Sequence, residues 1–184
     1  MPRTLWRIDQ PDFTGVEVFG LDEGPDGAVL RGRVVGTIDG AQFASVYEVI
    51  TDPDWVTRRV SVVCNSAART MLLEHDGSGT WVVDGITRTD LTGCLDVDLG
   101  ITPSTNTLPI RRLGLAVGDS ADLQAAWVRF PEMTVQMLTQ SYERTGDRSY
   151  RYRSPGFEAD LTVDDHGVVT EYGEGLWVAL KQEA

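Results

Sequence analysis

Turn dipeptides punctuate this chain at short intervals. Asp39-Gly40, Asp76-Gly77 and Asp84-Gly85 separate apolar runs, and Asp165-His166-Gly167 does the same further on. Gly24-Pro25-Asp26-Gly27 sits in the one wide polar gap, 21–27. Asp-Gly steps supply the positive φ that two-residue hairpin loops require. A chain interrupted this often has no room for long helices and reads as successive hairpins. Its 19 glycines fit many tight turns better than a helical bundle.

The runs between the turns alternate. In 157–164, Phe157, Ala159, Leu161 and Val163 share one face while Glu158, Asp160, Thr162 and Asp164 share the other. The run 58–64 places Val60, Val62 and Cys64 together, and 28–38 does so for Leu30, Val34 and Ile38. Gly32 and Gly36 fall between those last residues, which permits sharp curvature or the close approach of another group. Further strands are predicted at 14–20, 42–51, 69–75, 80–84, 123–130, 133–142, 148–154 and 168–172. One short helix is predicted at about 105–113, with Thr105 or Asn106 as its cap and Pro109 in its first turn. The fold class is therefore mainly β: a highly curved antiparallel sheet or half-barrel of roughly ten or more strands, with one or two short helices.

No linker divides the 184 residues, so a single domain over 1–184 is expected. A formal net charge of −12 repels phosphate backbones and argues against nucleic-acid binding. No apolar run is long enough to span a bilayer, and 1–13 lacks the apolar stretch of a signal peptide, which points to the cytoplasm. Cys64 and Cys94 have no metal-ligand spacing and read as buried thiols. His75 and His166 belong to no zinc or nucleophile-elbow pattern, and no cofactor or metal is expected. Exposed strand edges would allow a homodimer.

Directional polar groups crowd into 93–113, GCLDVDLGITPSTNTLPIRRL. In a strand, Asp96 and Asp98 share a face with Cα atoms about 6.6 Å apart. That spacing suits an acid/base pair, since glycosidase carboxyls stand about 5 to 9.5 Å apart. It also suits a hard cation, a solvated acidic face, or pairing with Arg111 or Arg112 across a turn. Asn106 can brace a loop or read a sugar hydroxyl. Polar-tipped rings recur elsewhere: Tyr47, Trp55, Trp81, Trp127, Tyr142, Tyr150 and Tyr152, with Gln140 on the face of Tyr142 and Arg58 close to Trp55. Such rings suit either core packing or a place where an apolar body meets a wet rim.

The 93–113 run resembles the signature of a bacterial glycolipid-binding family first described as a domain of unknown function. Tyr47, Trp55-Val56-Thr57-Arg58, Gly79-Thr80-Trp81, Gln140-Ser141-Tyr142, Tyr150-Arg151-Tyr152 and the strand from Phe157 extend the likeness over nearly the whole chain. Ser104 departs from it, standing where the family pattern has a large apolar residue. The resemblance implies a curved antiparallel sheet around an apolar cleft, similar to lipoprotein carriers, and no established catalytic residue. Asp96, Asp98, Thr102, Pro103, Thr105, Asn106, Pro109 and Arg111 match its motif.

Together these readings favour a binding protein for a small amphiphile, a glycolipid or lipid, with a polar rim at 96–111. The expected ligand-binding residues are Tyr47, Trp55, Arg58, Asp96, Asp98, Thr102, Thr105, Asn106, Arg111, Gln140, Tyr142 and Tyr152. The alternative is an enzyme of glycolipid or carbohydrate metabolism using Asp96 and Asp98 as a carboxylate pair.

Overall fold

The computed structural model describes residues 3–65 and 68–180. Eight strands come first: β1 (Arg3–Gln10), β2 (Phe13–Gly24), β3 (Gly27–Ile38), β4 (Ala41–Thr51), β5 (Thr57–Cys64), β6 (Arg69–His75), β7 (Trp81–Val83) and β8 (Ile86–Arg88). A 3-10 turn at Thr89–Leu91 leads to β9 (Asp96–Leu99), and a second at Ser104–Asn106 runs into helix α1 (Thr107–Leu113). Six strands follow: β10 (Ser120–Arg129), β11 (Thr134–Arg144), β12 (Ser149–Ser154), β13 (Phe157–Val163), β14 (Val169–Tyr172) and β15 (Trp177–Leu180).

Among the described residues all fifteen strands belong to one sheet, in the order β8 to β1, then β15 down to β9. Every pairing is antiparallel except that of β9 on β10. The expected curved antiparallel sheet is thus present. Its first and last strands pair near the middle, Leu5 opposite Leu180 and Ile8 opposite Trp177. The edges are β8 and β9, and no ladder joins them among the described residues. The sheet nevertheless bends until its two ends meet. Arg69 Nη1 donates to the Met133 carbonyl at 3.0 Å and Arg88 Nη2 to that of Val135 at 2.8 Å.

The hairpin turns fall where the sequence puts them. Asp39-Gly40 and Asp84-Gly85 form two-residue loops, with φ of 51° and 75° in the first and 48° and 80° in the second. Curvature has a local cause at Gly36, which pairs with Gly15 across the ladder. A Cβ on Gly36 would lie 2.0 Å from the Thr14 carbonyl oxygen, so no side chain fits between these backbones. β1, β8 and β15 lie outside the strands predicted from sequence. β8 and β15 are too short to alternate convincingly, and β1 surrounds Trp6 and Ile8 with charged neighbours.

The face of β2 is set by its largest side chains. Phe13, Phe19 and Leu21 turn inward, and the two-residue period carries Glu17 in with them. Val16 and Val18 consequently face out, 44% and 56% exposed, beside Val35, Val46 and Val63 on neighbouring strands. Two apolar clusters result. The larger spans Trp6, Phe19, Leu30, Val60, Trp81 and Leu99; the smaller gathers Tyr142, Tyr150, Tyr152, Leu161 and Val169. Helix α1 contributes Leu108 to the first and Ile110 to the second.

That helix matches the predicted one, with a corrected start. The preceding 3-10 turn leads straight into it, and neither Thr105 nor Asn106 caps it through a side chain. It stops at Gly114, which has a φ of 54°.

Candidate functional site

β9 is buried on both faces, which explains its unusual composition. Val97 and Leu99 pack into the larger cluster, while Asp96 and Asp98 turn to the other side. Side chains complete its edge: Thr57 Oγ1 accepts the Val97 N–H at 3.2 Å and Thr105 Oγ1 that of Leu99 at 3.3 Å.

The two aspartates have different fates. Asp96, 1% exposed, accepts Arg112 Nε at 3.1 Å and Nη2 at 2.6 Å in a fork that ties β9 to α1. Burial pushes its carboxyl upward while the guanidinium opposes the shift. Pairing across a turn was one of the sequence readings, and Arg112 provides it. The enzyme alternative, a working carboxylate pair, gains no support here: both Asp96 oxygens are occupied by Arg112. Asp98 has no ion pair among the described residues. Its Oδ2 accepts Gln140 Nε2 at 2.6 Å, and burial raises its pKa to about 6 against that bond.

Asp98 borders a cavity of about 350 Å³ between β9, the turn that follows it, and β10–β15. Thr102, Pro103 and Asn106 form the motif side. Trp127, Tyr152, Phe157, Tyr172 and Trp177 supply rings, with Leu99, Leu138 and Leu176 between them. Tyr152, Phe157 and Tyr172 stand with centroids 6.0, 6.1 and 6.3 Å apart along one wall, Phe157 and Tyr172 nearly parallel and Tyr152 tilted to both. Gly100, Pro155 and Phe157 are exposed and mark the mouth. Among the described residues no Arg, Lys or His lines the space, and Asp98 is its sole charged group.

Of the twelve residues expected from sequence, Asp98, Thr102, Asn106 and Tyr152 line this cavity. Three more stand just behind it. Gln140 holds Asp98, Tyr142 donates to Asn106 Oδ1 at 2.7 Å, and Thr105 holds the β9 backbone. Asn106 also donates to the Pro103 carbonyl at 2.9 Å, so its amide braces the turn it borders.

The other five are placed elsewhere. Asp96 is held by Arg112. Arg111 binds Glu23 at 2.9 Å and the His166 carbonyl at 3.0 Å, and its guanidinium lies 4.5 Å from the Trp55 ring centre. Arg58 faces Asp52 at 3.7 Å. Tyr47 is fully inside, where it donates to Glu17 Oε1 at 2.5 Å.

Glu17 was missed from sequence, and it anchors the motif turn from below. Thr102 Oγ1 donates to the same Oε1 at 2.9 Å, and Ser104 Oγ lies 2.6 Å from Tyr47 Oη. The Tyr47 ring reaches across because Gly32 has no side chain; a Cβ there would fall 2.2 Å from it. Burial without a cation raises Glu17 to about 8, opposed by the two hydroxyl bonds, and its Oε2 has no partner. The odd-numbered register of Phe13, Phe19 and Leu21 was the available signal. Trp127 was noted as a strand aromatic; Phe157, Tyr172 and Trp177 reach the cavity from strands distant in sequence.

Neither cysteine forms a disulfide, and both are buried. Among the described residues no cluster of three or more His, Cys, Asp or Glu side chains could hold a metal ion. No helix among them is long and apolar enough to cross a membrane.

The family model described as "Putative glycolipid-binding" matches residues 3–178. A crystal structure of a DUF1089 family protein from Pseudomonas aeruginosa is similar in sequence and fold, with 32% identity and a TM-score of 0.74. The alignment covers 86% of this chain and 90% of that one. No curated protein matches. With the family model spanning nearly every described residue, the chain belongs to the family so described.

Proposed function

We propose that the cavity beside Asp98 binds the head group of a small amphiphile, and that the protein works as a binding protein. One observation carries this reading. A single carboxylate, the amides of Gln10 and Asn106 and the hydroxyls of Thr102 and Ser154 face five aromatic rings across a space of about 350 Å³. Rings offer flat apolar surface to the C–H face of a sugar or to a chain, while Asp98 accepts hydrogen bonds and the second amide hydrogen of Asn106 donates one. Ligand sites of this kind combine mostly apolar walls with a few placed polar groups.

The volume lies at the lower end of the range for small-molecule sites, about 300–1,000 Å³. It suits a head group with the first part of a chain, the remainder leaving past Pro155 and Phe157. Each buried methylene adds about 0.8 kcal/mol. The family description, which names glycolipid binding, supports the same class of ligand. Asp96 is held by Arg112, so the reading needs no catalytic pair.

The test is organic extraction and native mass spectrometry of the purified protein, followed by titration with short-chain alkyl glycosides read by Trp fluorescence. Bound amphiphile, and a signal lost in Trp127→Ala, is the expected result. Clean extracts together with no saturable response to any short-chain amphiphile would overturn the reading.

A further inference from the structure

The charge balance of the cavity identifies its ligand more narrowly, on the premise that this cavity is the binding site. Among the described residues Asp98 is the sole charged one on the lining, and it has no ion pair there. The groups that face it are neutral: Gln140 from β11, Tyr152 from β12 and Tyr172 from β14. The nearby Asp96 is matched by Arg112. Arg129 lies 5.4 Å from the Trp127 ring centre but is not part of the lining. A half-buried carboxylate with no counter-charge is costly, and a ligand that brings a cation lowers that cost.

The walls favour the same chemistry. Tyr152, Phe157 and Tyr172 bring three π-faces close together, and ring faces attract ammonium groups, more strongly when water is excluded. An anionic head group would meet Asp98 with no basic residue among the described lining to offset the repulsion. We infer that the cavity selects a cationic head group, an ammonium seated between Asp98 and the rings of Tyr152, Phe157 and Tyr172. Amino sugars and alkylammonium amphiphiles share this chemistry.

Four hexyl probes at pH 7 distinguish these sources and test the inference: hexyl β-glucoside, its 2-amino-2-deoxy analogue, hexyltrimethylammonium and hexyl sulfate. The expected result is that at least one ammonium probe binds about tenfold or more tighter than the glucoside, with the sulfate weakest. The aminoglucoside leading points to an amino sugar, and trimethylammonium leading points to an alkylammonium head. In Asp98→Asn the preference for ammonium over glucoside should collapse to about unity. If that variant does not fold, the wild-type ranking still decides, and Phe157→Leu, at an exposed position, should weaken the ammonium probes more than the glucoside.

A glucoside binding as tightly as both ammonium probes, or an ammonium preference that survives in Asp98→Asn, overturns the inference while the amphiphile-binding reading stands. No binding by any probe overturns both.

Discussion

Single residues carry costs that the fold must absorb, and Glu17 is one of them. Its carboxyl is fully buried, accepts two hydroxyl bonds and meets no cation. The folded chain holds its proton up to about pH 8, whereas the unfolded chain releases it near 4.5. The unfolded state therefore binds fewer protons between those values, and stability falls as pH rises through that window. Asp98, raised to about 6, adds a decline over the lower part. Urea unfolding of the wild type should lose about 2–3 kcal/mol between pH 6 and 9. Glu17→Gln should flatten most of that slope. Asn106 tests bracing at the same scale: Asn106→Ala removes the acceptor of Tyr142 and the donor to Pro103. A loss of about 1–2 kcal/mol and a Tm lower by roughly 3–6 °C are expected in calorimetry.

At the level of elements, the decisive unit is β9 with the turn and helix that follow. A four-residue edge strand would expose its backbone, but Thr57 and Thr105 complete its N–H groups, and Arg112 on α1 holds Asp96. Arg112→Met leaves Asp96 buried without a counter-charge and should cost about 3–5 kcal/mol in urea unfolding. The double variant Asp96→Leu, Arg112→Met should recover much of that loss, because no charge remains buried. Most of this element was readable in advance. The crowded polar run marked the site region, the helix fell at its expected place, and pairing of an aspartate with an arginine across the turn was among the readings. Which aspartate is paired and which faces the cavity was not readable. Both lie on the same face of β9, and only the position of α1 separates them.

For the whole molecule, the question is how an open sheet keeps its two ends together. Arg69 and Arg88 reach across the seam to carbonyls at Met133 and Val135 in place of a strand ladder. The Thr89–Leu91 turn also packs beside β11. Replacing both arginines by alanine should raise amide hydrogen exchange in β6–β8 well above that of β2–β4, with a lower Tm. Equal exchange in the two regions would show that packing alone closes the seam.

The sequence by itself determined the hairpins, the alternating faces of most strands, the short helix and the stretch that builds the site, because turn dihedrals and the two-residue period are local properties. Asp39-Gly40 and the run from Phe157 to Val163 needed no distant partner to be read. Only the tertiary structure decided that β15 returns to β1, that Glu17 turns inward, and that Trp177, Tyr172 and Tyr152 meet Asp98 around one space. Those outcomes depend on which strands become neighbours, and pairing across more than a hundred residues is fixed by the joint burial of whole faces, which no local pattern contains.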